Sequence, residues 1–555
     1  MPNILIIKNL SFSVPLKEET FSSSAAAPAA CSSAVCKETA KFFLSSMNAT
    51  ANPCDDFYEF ACGAWRTKPI PEDKVQNWVL TEMDDHLNEQ IRELLAKYNV
   101  EVDGKKNARA VTLAASAYQR CMQLKDNNTE GVQFIKELVD EVLGAWTIGR
   151  KVELHKSWQQ ILVEAMARGN GFLVFSIGLY PDAQNTSKND LWVNGKTGNL
   201  NLLKLTFFNQ FSPVALGLGD LQLKNLSANV PLITAYKEYI RSSAKLFCGA
   251  NCANLEADID AIVHLESELA QGKLSLDVSR DPANMERKMT LKEFSAQTKM
   301  NWLGEIIVPL FKALNVSGWE QITDAQEVII NDIGYLTRVV SVLSKTSPVT
   351  VANLVGWRIV TTNGPQSSEV FRQNMLAFER VNLGLKKLPP RSTACYYQVN
   401  GQLGYPQMNM AVSRLWIDHH FPPSEKIESE HLVESIQRTF GHMLLDNGWM
   451  ADEKTRFAAL KKLASITRKV GYAEDLLKNE YLDSLYFING SSSARFDELL
   501  KEKNYLKSLR KIGVYGLQSA LSQLHGLTML GDNLWLISPA TINAVYFYKD
   551  NSISK

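Results

Sequence analysis

The feature that most constrains this chain is a helical hydrophobic period that begins at Lys37 and is clearly broken at one place. Apolar side chains three and four residues apart recur over Met83–Tyr98, Ala108–Leu124, Gly131–Trp146 and Val152–Ala167, then over Leu232–Phe247 and Leu255–Gln271. That spacing lines one face of a helix, whereas a strand repeats every two residues. The break is Gly171–Tyr180 (GFLVFSIGLY), an apolar run rich in β-branched and aromatic residues. Turn residues fill Asp182–Asp190, and Leu191–Val193 returns as a second strand, so a β-hairpin is predicted among helices. Further helices are predicted over Gln326–Leu343, Thr350–Val360, Ser424–Leu445 and Asp452–Val470. The inward candidates are Ile427, His431, Val433, Phe440 and Leu444 in the third, and Phe457, Leu460, Leu463 and Ile466 in the fourth. The expected class is mainly α, with a small β-hairpin insertion and short C-terminal strands.

A chain of 555 residues is too long for one core, since domains usually run ~100–200 residues. Lys plus Arg equals Asp plus Glu, 59 against 59, so no bulk field attracts nucleic acid or anionic lipid. Residues 1–30 read as a disordered or atypical leader: Ile4–Ile7 is its longest apolar run before Lys8 and Asn9. A signal peptide wants ~7–15 apolar residues and a membrane span ~20, so neither a signal peptide nor a transmembrane segment is expected.

The eight cysteines are Cys31, Cys36, Cys54, Cys62, Cys121, Cys248, Cys252 and Cys395. An even count at this density fits disulfides in a large secreted domain, or else buried thiols. Glycosylation tripeptides at Asn9, Asn48, Asn127, Asn185, Asn225, Asn315 and Asn489 favour the extracellular or cell-surface reading.

Catalytic signatures can be searched for exhaustively. A zinc-protease helix needs His-Glu-x-x-His, because positions four apart put two imidazoles on one face. None of the eight histidines has another four residues away. His431 and His442 share a helix face, but eleven residues means ~16 Å of rise, so two partly buried helix histidines are expected there. Cys248-Gly-Ala-Asn-Cys252 could close a local disulfide or form half of a metal knuckle, but no second close pair lies near it. Gly217-Leu-Gly219 lacks the third glycine of a dinucleotide loop. No nucleophile elbow or phosphate loop occurs.

Several segments do resemble a known family. Asn48–Trp65 (NATANPCDDFYEFACGAW) is similar to the opening segment of neprilysin-like zinc endopeptidases, which include the endothelin-converting enzymes. So are Cys31 and Cys36, Leu354–Val360 (LVGWRIV), Cys395–Gly401 (CYYQVNG) and Trp449–Tyr472 (WMADEKTRFAALKKLASITRKVGY). The last such piece is Ile542–Tyr546 (INAVY), whose family counterpart binds the substrate backbone as an added strand. The resemblance implies that Asn543 and Ala544 hold peptide substrates, and that Cys31 pairs with Cys36, Cys121 with Cys395, and Cys248 with Cys252. Cys54 and Cys62 are then expected to be unpaired. If Asp55–Cys62 is helical, its eight residues span ~12 Å, against ~5.5 Å for a disulfide.

In the family the zinc ligands follow the Asn-Ala-x-Tyr strand, whereas here the sequence runs on only to Lys555. The expectation is therefore an N-terminal portion of a neprilysin-like zinc metalloendopeptidase, acting in the family on small peptides but inactive alone. Zinc belongs to the family but is not expected to bind this chain, and neither catalytic nor metal residues are expected in it. Residues 31–535 are expected to form a helical, two-lobed region and 536–555 the start of the catalytic domain. The alternative is a non-catalytic peptide-binding or decoy protein.

Overall fold

The computed structural model describes residues 32–124, 127–151, 153–171, 173–182, 188–194, 216–249, 252–274, 287–401, 408–446, 448, 450, 452–486, 492–524, 535, 537–547 and 551–554. The leader predicted over 1–30 lies outside them. Two compact units divide the chain, residues 1–70 and 71–555.

The first unit contains α1 (Ala34–Ser46) and α2 (Phe57–Cys62). Ser33 caps α1 by accepting from Cys36 N–H, and Asp56 caps α2 by accepting from Glu59 N–H. The acidic cap faces the positive end of its helix dipole. Asn48 Nδ2 donates to Glu59 Oε1 at 3.0 Å, and the Trp65 ring meets Phe42 edge-on at 5.7 Å.

The second unit opens with α3 (Val79–Lys97), α4 (Arg109–Gln123), α5 (Asn128–Leu143) and α6 (Trp158–Ala167). Their boundaries differ from the apolar stripes by a few residues because caps set them. Asn127 accepts from the N–H groups of Thr129 and Glu130, Ser157 and Gln160 form a capping box, and α5 stops at Gly144, where φ is 81°. The hairpin follows as β1 (Ser176–Pro181) and β2 (Asn189–Asn194), with Ile177 opposite Val193 and Leu179 opposite Leu191.

Next come α7 (Asp220–Lys224), α8 (Val230–Cys248), α9 (Leu255–Gln271), β3 (Arg287–Thr290), α10 (Leu291–Thr298), α11 (Val308–Ala313), β4 (Glu327–Asn331) and α12 (Ile333–Leu343). The predicted helix over Gln326–Leu343 is therefore a strand and a shorter helix. Val328, Ile329 and Ile330 are consecutive β-branched residues, all buried, and suit a covered strand better than a helix. Asp332, with φ at 59°, turns the chain and caps α12 by accepting from Tyr335 N–H. β4 pairs parallel with β2 and antiparallel with β3, so the hairpin is half of a four-stranded sheet ordered β1-β2-β4-β3.

The rest is helical until the end: α13 (Pro348–Ser367), α14 (Glu369–Asn382), α15 (Arg391–Asn400), α16 (Asn409–His420), α17 (Pro423–Leu445), α18 (Glu453–Ala464), α19 (Asn479–Ser484), α20 (Ser492–Lys501) and α21 (Tyr505–Leu521). The predicted Asp452–Val470 helix is also divided, because Thr467–Lys469 is a strand, β5. It pairs with β7 (Ser552–Ser554), which pairs in turn with β6 (Val545–Phe547), giving the order β5-β7-β6. The fold is mainly α.

Two separate hydrophobic cores lie in the second unit. Core 1 draws on residues 135–378 together with Leu521 and Leu524. Trp302 at its centre stacks on Phe294 at 4.6 Å, meets Phe175 edge-on at 5.0 Å, and donates Nε1–H to Thr298 Oγ1 at 2.8 Å. A fully buried carboxylate there, Glu266, accepts from Gly217 N–H at 2.7 Å and Tyr236 O–H at 2.8 Å. Burial pushes the Glu266 carboxyl above its ordinary range. Core 2 draws on residues 87–121 and 395–540, with Ile91, Leu113, Tyr396, Val412, Leu482, Phe496 and Leu509 in its interior.

Candidate functional site

Asn543 and Ala544 lead directly into β6, an edge strand whose sheet partner is β7. Asn543 is half-buried and Ala544 exposed. Asn543 N–H donates to the Thr541 carbonyl at 3.0 Å, and Asn543 Oδ1 accepts from Ala544 N–H at 2.7 Å. The sheet is fastened to the end of α18 through Asn551. Its Nδ2 donates to the Lys462 carbonyl at 3.2 Å and to Ser465 Oγ at 2.9 Å, and its Oδ1 accepts from Tyr546 O–H at 2.9 Å. The strand beside Asn543 is thus tied to the end of α18, and among the described residues β6 is the edge of its three-stranded sheet.

His86, His419 and His420 lie near one another but do not form a metal-holding group. His419 Nδ1 lies 2.8 Å from the Leu415 carbonyl, and His420 stacks on Trp416 with ring centroids 6.5 Å apart. Burial holds the His420 imidazole below its ordinary value, and the nearby His419 and His86 act in the same direction. His431 and His442 are exposed on α17, not partly buried as expected. Among the described residues no three His, Cys, Asp or Glu side chains gather closely enough to hold a metal ion. These residues do not fit a zinc site.

The cysteines divide cleanly. Cys121 is joined to Cys395 with Cα atoms 5.7 Å apart, and Cys248 to Cys252 at 5.4 Å. Cys36 is disulfide-bonded, and Cys31 lies outside the described residues. Cys54 is an exposed free thiol and Cys62 a half-buried one. Cys54 sits in the turn before α2, where its N–H donates to Asn52 Oδ1 at 3.1 Å. Of the glycosylation candidates, Asn127, Asn225 and Asn315 are exposed. Asn48 is half-buried with its amide nitrogen already donating to Glu59, and Asn9, Asn185 and Asn489 lie outside the described residues.

One surface was not legible in the inward stripe read from the sequence. Of α17, only Val433 and Leu444 are buried, while α18 buries nothing among its described residues. Ile427, Phe440 and Phe457, expected to point inward, are about half exposed or more, at 50%, 49% and 59%. Leu432, Ile436, Phe440 and Met443, four, four and three residues apart, form an exposed apolar stripe along one side of α17. A continuous stripe of that kind marks an interaction surface.

The sequence profile of peptidase family M13 matches residues 53–473. The chain belongs to this family. It is 30% identical to neprilysin-1 of Trittame loki, over 94% of this chain and 68% of that protein. It is 26% identical to neprilysin-11 of Caenorhabditis elegans, over 95% of this chain and 58% of that protein. The crystal structure of the zinc metalloprotease Zmp1 of Mycobacterium tuberculosis with an inhibitor has the same fold, with a TM-score of 0.71 at 19% identity, covering 92% of this chain and 68% of that one. This M13 chain therefore spans 58–68% of the length of these relatives. It is a neprilysin-like metallopeptidase-family chain with disulfides, and no helix among the described residues is long and apolar enough to cross a membrane. Zinc is expected for the family.

Proposed function

We propose that this chain is the peptide-holding portion of a neprilysin-like zinc metalloendopeptidase, and that it does not hydrolyse peptides by itself. The observation that carries the reading is the edge strand. A peptide laid along β6 would gain main-chain hydrogen bonds without its sequence being read, and Asn543, whose Oδ1 is taken by Ala544 N–H, would offer its side-chain nitrogen as a donor to that peptide. Residues 31–535 are the two-lobed helical region in this reading, and 536–555 open the catalytic domain. Any zinc ligands come from further polypeptide, of the kind that fills the additional length of the relatives. The stripe Leu432–Ile436–Phe440–Met443 is the surface such polypeptide would cover. The disulfides and the exposed sequons at Asn127, Asn225 and Asn315 support a glycosylated, extracellular or cell-surface protein.

The test uses the purified chain, zinc and fluorescently labelled short peptides. Binding without cleavage is expected, and Asn543→Ala should weaken it about tenfold, the value of roughly one lost hydrogen bond to a bound ligand. Zinc-dependent cleavage abolished by a chelator would sink the claim of inactivity. Equal peptide affinity in the parent and Asn543→Ala would sink the assignment of the strand.

A further inference from the structure

Two cores in one compact unit must be joined, and the joints are few. The chain leaves core 2 after Cys121 and enters core 1 at Ile135; it leaves core 1 after Phe378 and re-enters core 2 at Cys395. These two crossings are fastened to each other where they meet core 2. The Cys121–Cys395 disulfide links them, and the Arg391 guanidinium donates to the Leu124 carbonyl. Together they make one covalent hinge.

The third joint is α21, and it is of a different kind. Its first half is rooted in core 2: Tyr505, Leu506, Leu509 and Ile512 are buried there, and Tyr505 O–H donates to Gln398 Oε1 beside the hinge disulfide. Arg120 fixes the turn before it by donating to the carbonyls of Leu499 and Glu502 at 3.1 and 2.6 Å. Its second half and the turn after it reach core 1, while Tyr515 still packs against core 2 and Ser519 Oγ donates to the Tyr486 carbonyl at 3.1 Å. Val514 and Leu517 pack against core 1, and Leu521 and Leu524 belong to it. Polar ties run alongside: Arg510 Nη1 pairs with Glu141 at 2.6 Å while its Nε donates to the Arg168 carbonyl at 2.7 Å. Gln518 Nε2 donates to the Asn315 carbonyl at 3.1 Å, and Asn189 Nδ2 donates to the Gln523 carbonyl at 2.9 Å. Gly169, with φ at 77°, lets the chain pass beneath Val514, where a Cβ would come within 3.0 Å of that side chain. The chain then returns to core 2 at Ala540.

We infer that α21 is a strap: a helix rooted in one lobe whose far half clamps the other, fixing the relative orientation of the two cores, with Arg510 as its latch. Seventeen helical residues span ~25 Å, so the clamped end acts far from the hinge disulfide. Among the described residues the clamp includes one ion pair, three hydrogen bonds and four apolar side chains, a set small enough to release while both cores stay folded. Release leaves the lobes joined, among the described residues, by the stapled crossings, free to rotate about them.

The test places spin labels at Leu221→Cys on α7 and Glu428→Cys on α17, in a full chain carrying Cys54→Ser and Cys62→Ser, and reads their separation by double electron–electron resonance. Arg510→Ala should add a population at longer separation. It should also cut amide protection across 514–524 about tenfold, with α4 and α13 protected as in the parent. An unchanged separation despite lost protection would overturn the inference, and so would unchanged protection. Should Arg510→Ala fail to fold, Glu141→Gln removes the ion pair at constant side-chain size and is read by the same criteria. The charge exchange Glu141→Arg with Arg510→Glu should restore the parent distance if the pair itself is the latch.

Discussion

Core 1 and core 2 are built from the same kind of helix, yet one is closed and the other open. Core 1 is nearly continuous in sequence, caps one side with a four-stranded sheet, and buries Trp302 and Trp357 completely. Core 2 is assembled from two distant stretches, and α17 lies between them in sequence, its buried Val433 and Leu444 belonging to neither core while it shows an apolar stripe to solvent. The difference teaches that an amphipathic pattern reports which face of a helix seeks burial, not whether the chain at hand supplies the cover.

The largest effect should come from the closed core. Trp302→Ala deletes a ring held by Phe294, Phe175 and Thr298 and leaves a cavity in core 1. A loss of ~3–5 kcal/mol is expected from urea unfolding, confined to the transition reported by core 1 probes. If the midpoint of core 2 moves equally, the two cores unfold as one cooperative unit and the comparison between them fails.

Two disulfides sharpen the same contrast, one in each core. Cys121–Cys395 bridges a sequence separation of 274 residues and ties together the two stretches that build core 2. Cys248–Cys252 closes a separation of four within core 1 territory. In the chain-entropy account the long loop constrains the unfolded state more, so Cys121→Ser with Cys395→Ser should cost up to ~5 kcal/mol and Cys248→Ser with Cys252→Ser ~2 kcal/mol. Thermal unfolding under matched conditions would rank them. An inverted order would mean that native-state packing around Gly149, which lies against Cys248 and Cys252, outweighs loop entropy.

What was readable in the sequence follows from how local the cause is. The helices over 83–98, 108–124 and 255–271 were legible because their apolar spacing is theirs alone. The Asn48–Trp65 segment was legible because its residues are close together and specific to the family. β4 was not: Val328, Ile329 and Ile330 form a strand because β2 and β3 lie on either side, and both partners are remote in sequence. β5 was hidden in the same way, since Thr467–Lys469 pairs with Ser552–Ser554. α17 was misread for a related reason: Val433 and Leu444 are buried as expected, but Ile427, His431 and Phe440 are exposed, and Leu432, Ile436 and Met443 were not singled out. The Arg510–Glu141 tie joins positions far apart in sequence, and neither residue has a local pattern that points to the other.

The smallest effect is the most informative about the open flank. Ile436 is 62% exposed on α17, so replacing it removes little buried area, and the intrinsic helix preferences of Ile and Ser are close. Ile436→Ser should therefore change stability by less than ~0.5 kcal/mol, against several for a closed-core truncation. It should also lower self-association in sedimentation, because it interrupts the run from Leu432 to Met443 at its middle. A loss of 2 kcal/mol or more, taken as ~2 kcal/mol by comparison with buried Ile or Leu truncations, would mean that Ile436 is covered in solution. A loss that grows with protein concentration would make the cover a second copy of this chain. A loss independent of concentration would place the cover within the chain itself and close the flank that distinguishes core 2 from core 1.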